Sequence, residues 1–271
     1  MECLHPLQIK NPRPTEKNPY TYILVPCGKC INCKEKRHRD WTTRLILERE
    51  KSTYSYFCCL TYDDEHLPRS EAGDPTLVPK HLQDYIKRVR AALPNDKVRY
   101  FACGEYGTSD LGTHRGHYHI TWFNFPPDKL EILQEKWPFG YVSYDGELGI
   151  GACHYIADYM LKAEDYVCKE GQCKPFIRMS TKPAIGHEFL TPAMQKYLKT
   201  HEDLYVVING QKRPLPRYYR KKLGIEGSCD FHLLSDYKEK YGEEEGYRQY
   251  SGIEADLNRR NQKIRRLKGK L

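Results

Sequence analysis

The apolar positions of this chain alternate between two periods. Trp41, Leu45 and Ile46 fall on one side of a helix predicted from about Lys34 to Glu50. The run YSYFCCLTY, Tyr54 to Tyr62, reads as a buried strand, and DDEHLPRSEAGDP after it is dense in turn formers. Leu82, Ile86, Val89 and Leu93 return to helical spacing behind Pro79, which suits a first helical position. VRYFACGEYG, Val98 to Gly107, and HYHITWFNF, His117 to Phe125, are predicted strands, the second stopped by Pro126 and Pro127. DKLEILQEKW makes a short helix, YVSY, Tyr141 to Tyr144, a fourth strand, and HYIADYMLKA, His154 to Ala163, a helix after a glycine-rich turn. Further on, Thr191 and Pro192 form a helix start, and Asn209-Gly210 a hairpin turn within YVVINGQKR.

Strand, helix, strand, strand, helix, strand, helix is an α+β order. A central, mainly antiparallel sheet with its helices gathered on one face satisfies it. The expected division is a Cys-rich segment with a helix over 1–51, a core over 52–165, and a C-terminal extension over 166–271 packed on that core. No run has the apolar length of a membrane span, and MECLHPLQIKNP has no apolar signal core. The expectation is a soluble protein that is not exported.

Charge changes this picture modestly. Lys and Arg total 44 against 36 acids, a formal net charge of +8, which suits a polyanionic partner. The 22 tyrosines are either stacking platforms for single-stranded nucleic acid or ordinary sheet residues. Arg217, Tyr218, Tyr219, Arg220, Lys221 and Lys222 make a basic-aromatic patch, and residues 259–270 a basic tail. Phosphate contact and base stacking are one reading of these, and a solvated helix end is the other for the tail.

Eleven cysteines in a chain without an export signal argue for metal ligation over disulfides. CGKCINC sets Cys27, Cys30 and Cys33 at two-residue gaps, with Cys3 or His5 available as a fourth ligand. Four thiolates would form a closed structural Zn²⁺ site. An iron–sulfur cluster and unligated thiols are the alternatives, although the Cys-Pro that usually follows an iron–sulfur motif is absent. Cys58, Cys59, Cys103, Cys153, Cys168, Cys173 and Cys229 are expected in the core or to be incidental.

Two stretches carry candidate chemistry. In THRGHYHITWF, His117 and His119 stand two apart on a strand and so project to one side. A hairpin with the preceding strand brings Glu105 beside them. Such a set holds Mg²⁺ or Mn²⁺ as well as softer ions; otherwise the histidines merely decorate the sheet. His114 lies in the loop, as a surface residue or a DNA contact. In CHYIADYMLKA, Tyr155 and Tyr159 are four apart on one helix face, with Lys162 on the same side. Such a pair is either a packing stripe or a pair of phenols able to attack a phosphodiester, given a metal and a cation to help.

HYH after GEYG, then YIADYMLK, resembles the HUH endonuclease superfamily of rolling-circle replication initiators, in its branch with two tyrosines. VPCGKCINC, LTYDDEHLP, CGEYG, HRGHYH, PFIRMSTKPAIG and LPRYYRKK together resemble the initiators of gokushovirus-type microviruses, small single-stranded DNA bacteriophages, from Cys3 to about Lys222. Ala184 stands where that pattern has glycine. The resemblance implies an HUH fold with the histidine pair on a central strand. It implies that His117, His119 and Glu105 hold Mg²⁺ or Mn²⁺ against a scissile phosphate in a single-stranded DNA origin. One of Tyr155 and Tyr159 would nick and keep the 5′ end; the other would cut the regenerated origin so that the held end is rejoined. A host polymerase would extend the freed 3′-OH in the bacterial cytoplasm. Unwinding falls to a separate helicase, since no GxxxxGK[ST] loop is present. A non-catalytic, zinc-containing single-stranded DNA-binding protein and a phosphodiesterase using water are the rival readings.

Overall fold

A computed structural model describes residues 3, 5–12, 14, 20–107, 114–201 and 205–224, without the side chains of residues 145, 160 and 162–165. The basic tail lies outside the described residues. The chain divides into two compact units, whose described residues fall within Met1–Arg37 and His38–Ile225.

In the first unit, β1 (Leu7–Lys10) pairs antiparallel with β2 (Tyr22–Val25), in the register Leu7↔Val25. The Asn11 side chain closes the connection by donating to the Tyr20 carbonyl at 2.9 Å. Neither strand was expected in this proline-bearing segment. Helix α1 (Ile31–Lys51) starts in this unit and continues into the next.

The second unit is built on a five-stranded antiparallel sheet. Its strands are β3 (Ser55–Tyr62), β4 (Arg99–Tyr106), β5 (Gly116–Phe123), β6 (Gly140–Glu147) and β7 (Phe176–Met179), in the order β6-β3-β5-β4-β7. The helices are α2 (Pro79–Ala92), α3 (Glu131–Glu135), α4 (Ile150–Asp165), α5 (Pro192–His201) and α6 (Arg217–Leu223), with the hairpin β8 (Tyr205–Ile208) and β9 (Gln211–Pro214) before the last. The expected α+β architecture is present. Helices cover both faces of the sheet, however, not one. Cys58, Leu60, Ala102, Tyr118, Ile120 and Trp122 bury one face with Leu82, Tyr85, Ile86 and Val89 of α2. Phe101 and Phe123 bury the opposite face with Leu45 and Ile46 of α1 and Cys153, Ile156 and Ala157 of α4. The strands alternate apolar residues to both sides, so each face needs a cover.

The KPAIG loop after β7 is anchored by buried polar groups. Glu48 of α1 pairs with Arg99 at the start of β4 and also accepts the Gly186 backbone N–H at 2.6 Å. Arg99 donates to the Pro183 carbonyl at 2.9 Å. Arg44 donates to the Ile185 carbonyl at 2.9 Å from a seat over the Trp41 and Tyr218 rings. Gly186 sits at φ +76, and a Cβ there would collide with the Tyr219 hydroxyl, so both conformation and space require glycine. No described helix is long and apolar enough to cross a membrane.

Candidate metal centre and tyrosine helix

The register of β4 on β5 sets Glu105 directly opposite His117, and Cys103 opposite His119. Residues two apart share a face, so the carboxylate and both imidazoles meet on the side that α4 covers. His117 Nε2 and His119 Nε2 lie 3.1 and 3.2 Å from the same oxygen, Glu105 Oε1. These three side chains form one of two groups, among the described residues, that could hold a metal ion. Burial pushes the Glu105 carboxyl up, but hydrogen bonds from His117 and His119 and their charge outweigh it and hold the group at about 2. Glu105 is therefore an anion throughout the neutral range.

The donor set fits a small divalent cation. Adjacent ligands of an octahedral ion bonded at about 2.1 Å stand roughly 3 Å apart, and the observed spacings match. His117 Nδ1 lies 3.2 Å from the Arg115 carbonyl; a donor hydrogen there leaves Nε2 as the ligating atom. An oxygen and two nitrogens without thiolate suit Mn²⁺ and Mg²⁺ better than a structural zinc.

Helix α4 delivers the tyrosines. It starts at Ile150, inside the segment expected to be a turn, because Gly149 takes the extended cap position and Ile150 continues directly into helix. The Tyr159 ring stacks on His119 at 4.6 Å and 19°, and Tyr155 meets Tyr159 edge-on at 4.9 Å. Burial pushes the Tyr159 phenol far above the usual tyrosine range. The side chain of Lys162 lies outside what the structure describes. Phe57 also stacks on His119, at 5.2 Å and 10°, a contact the sequence reading missed. Its signal was available: Phe57 is two residues from Cys59, which pairs with His119 across β3 and β5. Behind α4, His38 lies 3.1 Å from Asp158 and donates to the His154 carbonyl at 3.2 Å, and Arg213 of β9 approaches His154 at 3.4 Å. The first contact ties the tyrosine helix to α1. None of these four was anticipated.

Cys3, Cys27, Cys30 and Cys33 form the second group, with their sulfurs all within 4.8 Å of one another. Cys3 Sγ and Cys30 Sγ are 3.9 Å apart, close to the edge of a tetrahedron with zinc–sulfur bonds of about 2.3 Å. Gly28 at φ +76 makes the turn between Cys27 and Cys30. Burial pushes the Cys27 thiol up, but backbone N–H groups of Cys30 and Lys29 prevail and bring it to about 6, which favours thiolate. Cys3, and not His5, belongs to the group.

The expected basic-aromatic patch needs correction. Tyr219 is buried, with its hydroxyl donating to the Gly186 carbonyl at 2.7 Å. Tyr218 is half-buried beneath Arg44 and lies 2.9 Å from His187 Nδ1. Helix α6 turns both rings inward, so they pack against the protein. Arg217, Lys221 and Lys222 are exposed and Arg220 is half-buried. His114 is exposed, its ring 2.9 Å from the Gly107 carbonyl.

The fold and site define a class: an antiparallel sheet whose central strands offer a carboxylate and two imidazoles beside two tyrosines of a covering helix. The family model of the replication-associated protein ORF2 matches residues 55–164, the segment holding all five of those side chains. The chain is 31% identical to the replication-associated protein ORF2 of Spiroplasma virus 4, over 89% of this chain and 85% of that one. It is 28% identical to replication-associated protein ORF4 of Chlamydia phage 1, covering 79% and 57%, and 30% identical to replication-associated protein VP4 of Bdellovibrio phage phiMH2K, covering 73% and 67%. This chain belongs to that family, the replication-associated proteins of gokushovirus-type bacteriophages.

Proposed function

We propose that this protein starts rolling-circle replication by nicking one strand of a single-stranded DNA origin and keeping its 5′ end on a tyrosine, as an HUH endonuclease. The observation that carries the reading is convergence: a phenol of α4 stacks on His119, which shares Glu105 Oε1 with His117. Glu105, His117 and His119 would hold Mn²⁺ or Mg²⁺. When bound, such an ion polarises a phosphodiester oxygen and offsets the charge that develops in the transition state.

The phenol of α4 supplies the nucleophile. Its oxygen bonds to phosphorus, the bond from phosphorus to the 3′-oxygen breaks, and the phenolic proton is lost as the 3′-oxygen gains one. One ester replaces another, so the step reverses when a 3′-hydroxyl attacks the phosphotyrosine. The freed 3′-OH primes a host polymerase, with a host helicase opening the duplex, in the bacterial cytoplasm. The exposed cations Arg217, Lys221 and Lys222 contact phosphates of the bound strand. Cys3, Cys27, Cys30 and Cys33 hold a structural Zn²⁺.

Incubation with a labelled origin oligonucleotide and Mn²⁺, followed by a denaturing gel, tests this. A slow protein–DNA band is expected, and the Tyr155→Phe, Tyr159→Phe double variant should lack it. Cleavage without the band means that water attacks. Binding without cleavage of the cognate origin means a non-catalytic binder.

A further inference from the structure

Tyr155 and Tyr159 lie on the same helix in different surroundings. Tyr155 is 47% exposed and Tyr159 1%. The Tyr159 ring lies flat on the His119 imidazole. Tyr155 stands at the rim, edge-on to Tyr159 and, at 5.9 Å, to Phe57.

We propose that the two phenols are not equivalent at the start of the cycle. Tyr155 makes the first attack, while Tyr159 serves as a positioning residue that fixes the His119 ring for metal ligation and becomes a nucleophile only afterwards. This deepens the nickase reading above and, for Tyr155, rests on it.

Attack needs the phenolic oxygen within about 3.5 Å of phosphorus on an open path. An exposed ring reaches a strand laid along the surface by rotamer change alone. Tyr159 would first have to leave His119 and the helix–sheet interface, loosening a metal ligand just when the metal is needed. A ligand imidazole works only when its ring direction is held. Phe57 and Tyr159 both stack on His119, and Tyr159 is the one that α4 supplies. Once Tyr155 carries a DNA strand, the edge-on contacts that complete this aromatic cluster are disturbed, which gives Tyr159 its release. In the first step the Tyr155 oxygen–phosphorus bond forms, the bond to the 3′-oxygen breaks, and the phenolic proton is replaced on the 3′-oxygen.

Two measurements on the full chain test the proposal. The first is Mn²⁺ affinity without DNA, by calorimetry, for wild type and the variants Tyr159→Phe, Tyr159→Leu and Tyr159→Ala. Phe keeps the stack and should bind within about twofold of wild type. Leu and Ala lose it and should weaken binding roughly 10-fold or more, as for other residues that orient metal-ligating histidines. Equal affinity in all four overturns the positioning role; Leu preserves volume if Ala does not fold. The second is mass-spectrometric location of the covalent DNA on origin oligonucleotide. Wild type should carry it first on Tyr155, Tyr155→Phe should form none, and Tyr159→Phe should accumulate the Tyr155 adduct without passing the strand to a second origin. A first adduct on Tyr159 overturns the order. No adduct in any protein overturns the nickase reading and the Tyr155 assignment together, while the Mn²⁺ series still decides the role of Tyr159.

Discussion

Glu48 and Arg99 are both buried and paired, and the carboxylate also holds the Gly186 N–H. A buried pair is not in itself a large source of stability, but removing one partner strands the other charge. Glu48→Gln should therefore cost roughly 3 kcal/mol in denaturant unfolding. Replacing both partners with apolar residues, Glu48→Leu with Arg99→Met, should recover a good part of that. If the single variant unfolds like wild type, the pair has been misassigned. At this scale the metal-ligand set was legible in sequence, because strand alternation and hairpin register act over short distances. Tyr219 was not. A tyrosine between arginines looks the same whether it stacks on DNA or on its own protein, and its burial depends on Gly186, 33 residues away.

Elements with a local signature were readable. Thr191 caps α5 as its sequence suggests, its hydroxyl accepting the Met194 N–H at 3.2 Å. Thr191→Ala should lower stability by about 1 kcal/mol, and Thr191→Ser should restore most of it; a thermal melt of the three proteins decides. Asn209 and Gly210 turn the β8–β9 hairpin at φ 49 and 74, as a two-residue loop demands. Strand β7 had no such signature. It is four residues long, lacks alternation and exists through its pairing to β4, where Gly104 leaves room for the Phe176 ring. The β1–β2 pair was equally hidden, because two four-residue strands separated by prolines are joined by tertiary contacts. Helix α6 did carry end signals, Pro216 before it and Gly224 at φ 68 after it, but its charge pattern drew attention instead.

Over the whole molecule, the two units differ in what holds them. The described apolar clusters belong to His38–Ile225. Within Met1–Arg37, the buried hydrophobic side chains among the described residues are Cys3 and Cys33, both members of the thiol group. A segment this short cannot bury enough apolar surface to fix its own backbone, so ligation has to supply the difference. Protein purified without chelator should thus carry about one zinc per chain. A strong chelator should release the zinc and expose about four thiols to a thiol reagent. Backbone hydrogen exchange should then accelerate across residues 5–33 while β3, β4 and β5 keep their protection. The same outcome is expected of Cys30→Ser without chelator. Retained protection in 5–33 after zinc loss would mean that this unit is held by packing. Loss of protection in the sheet as well would mean that the metal supports both units.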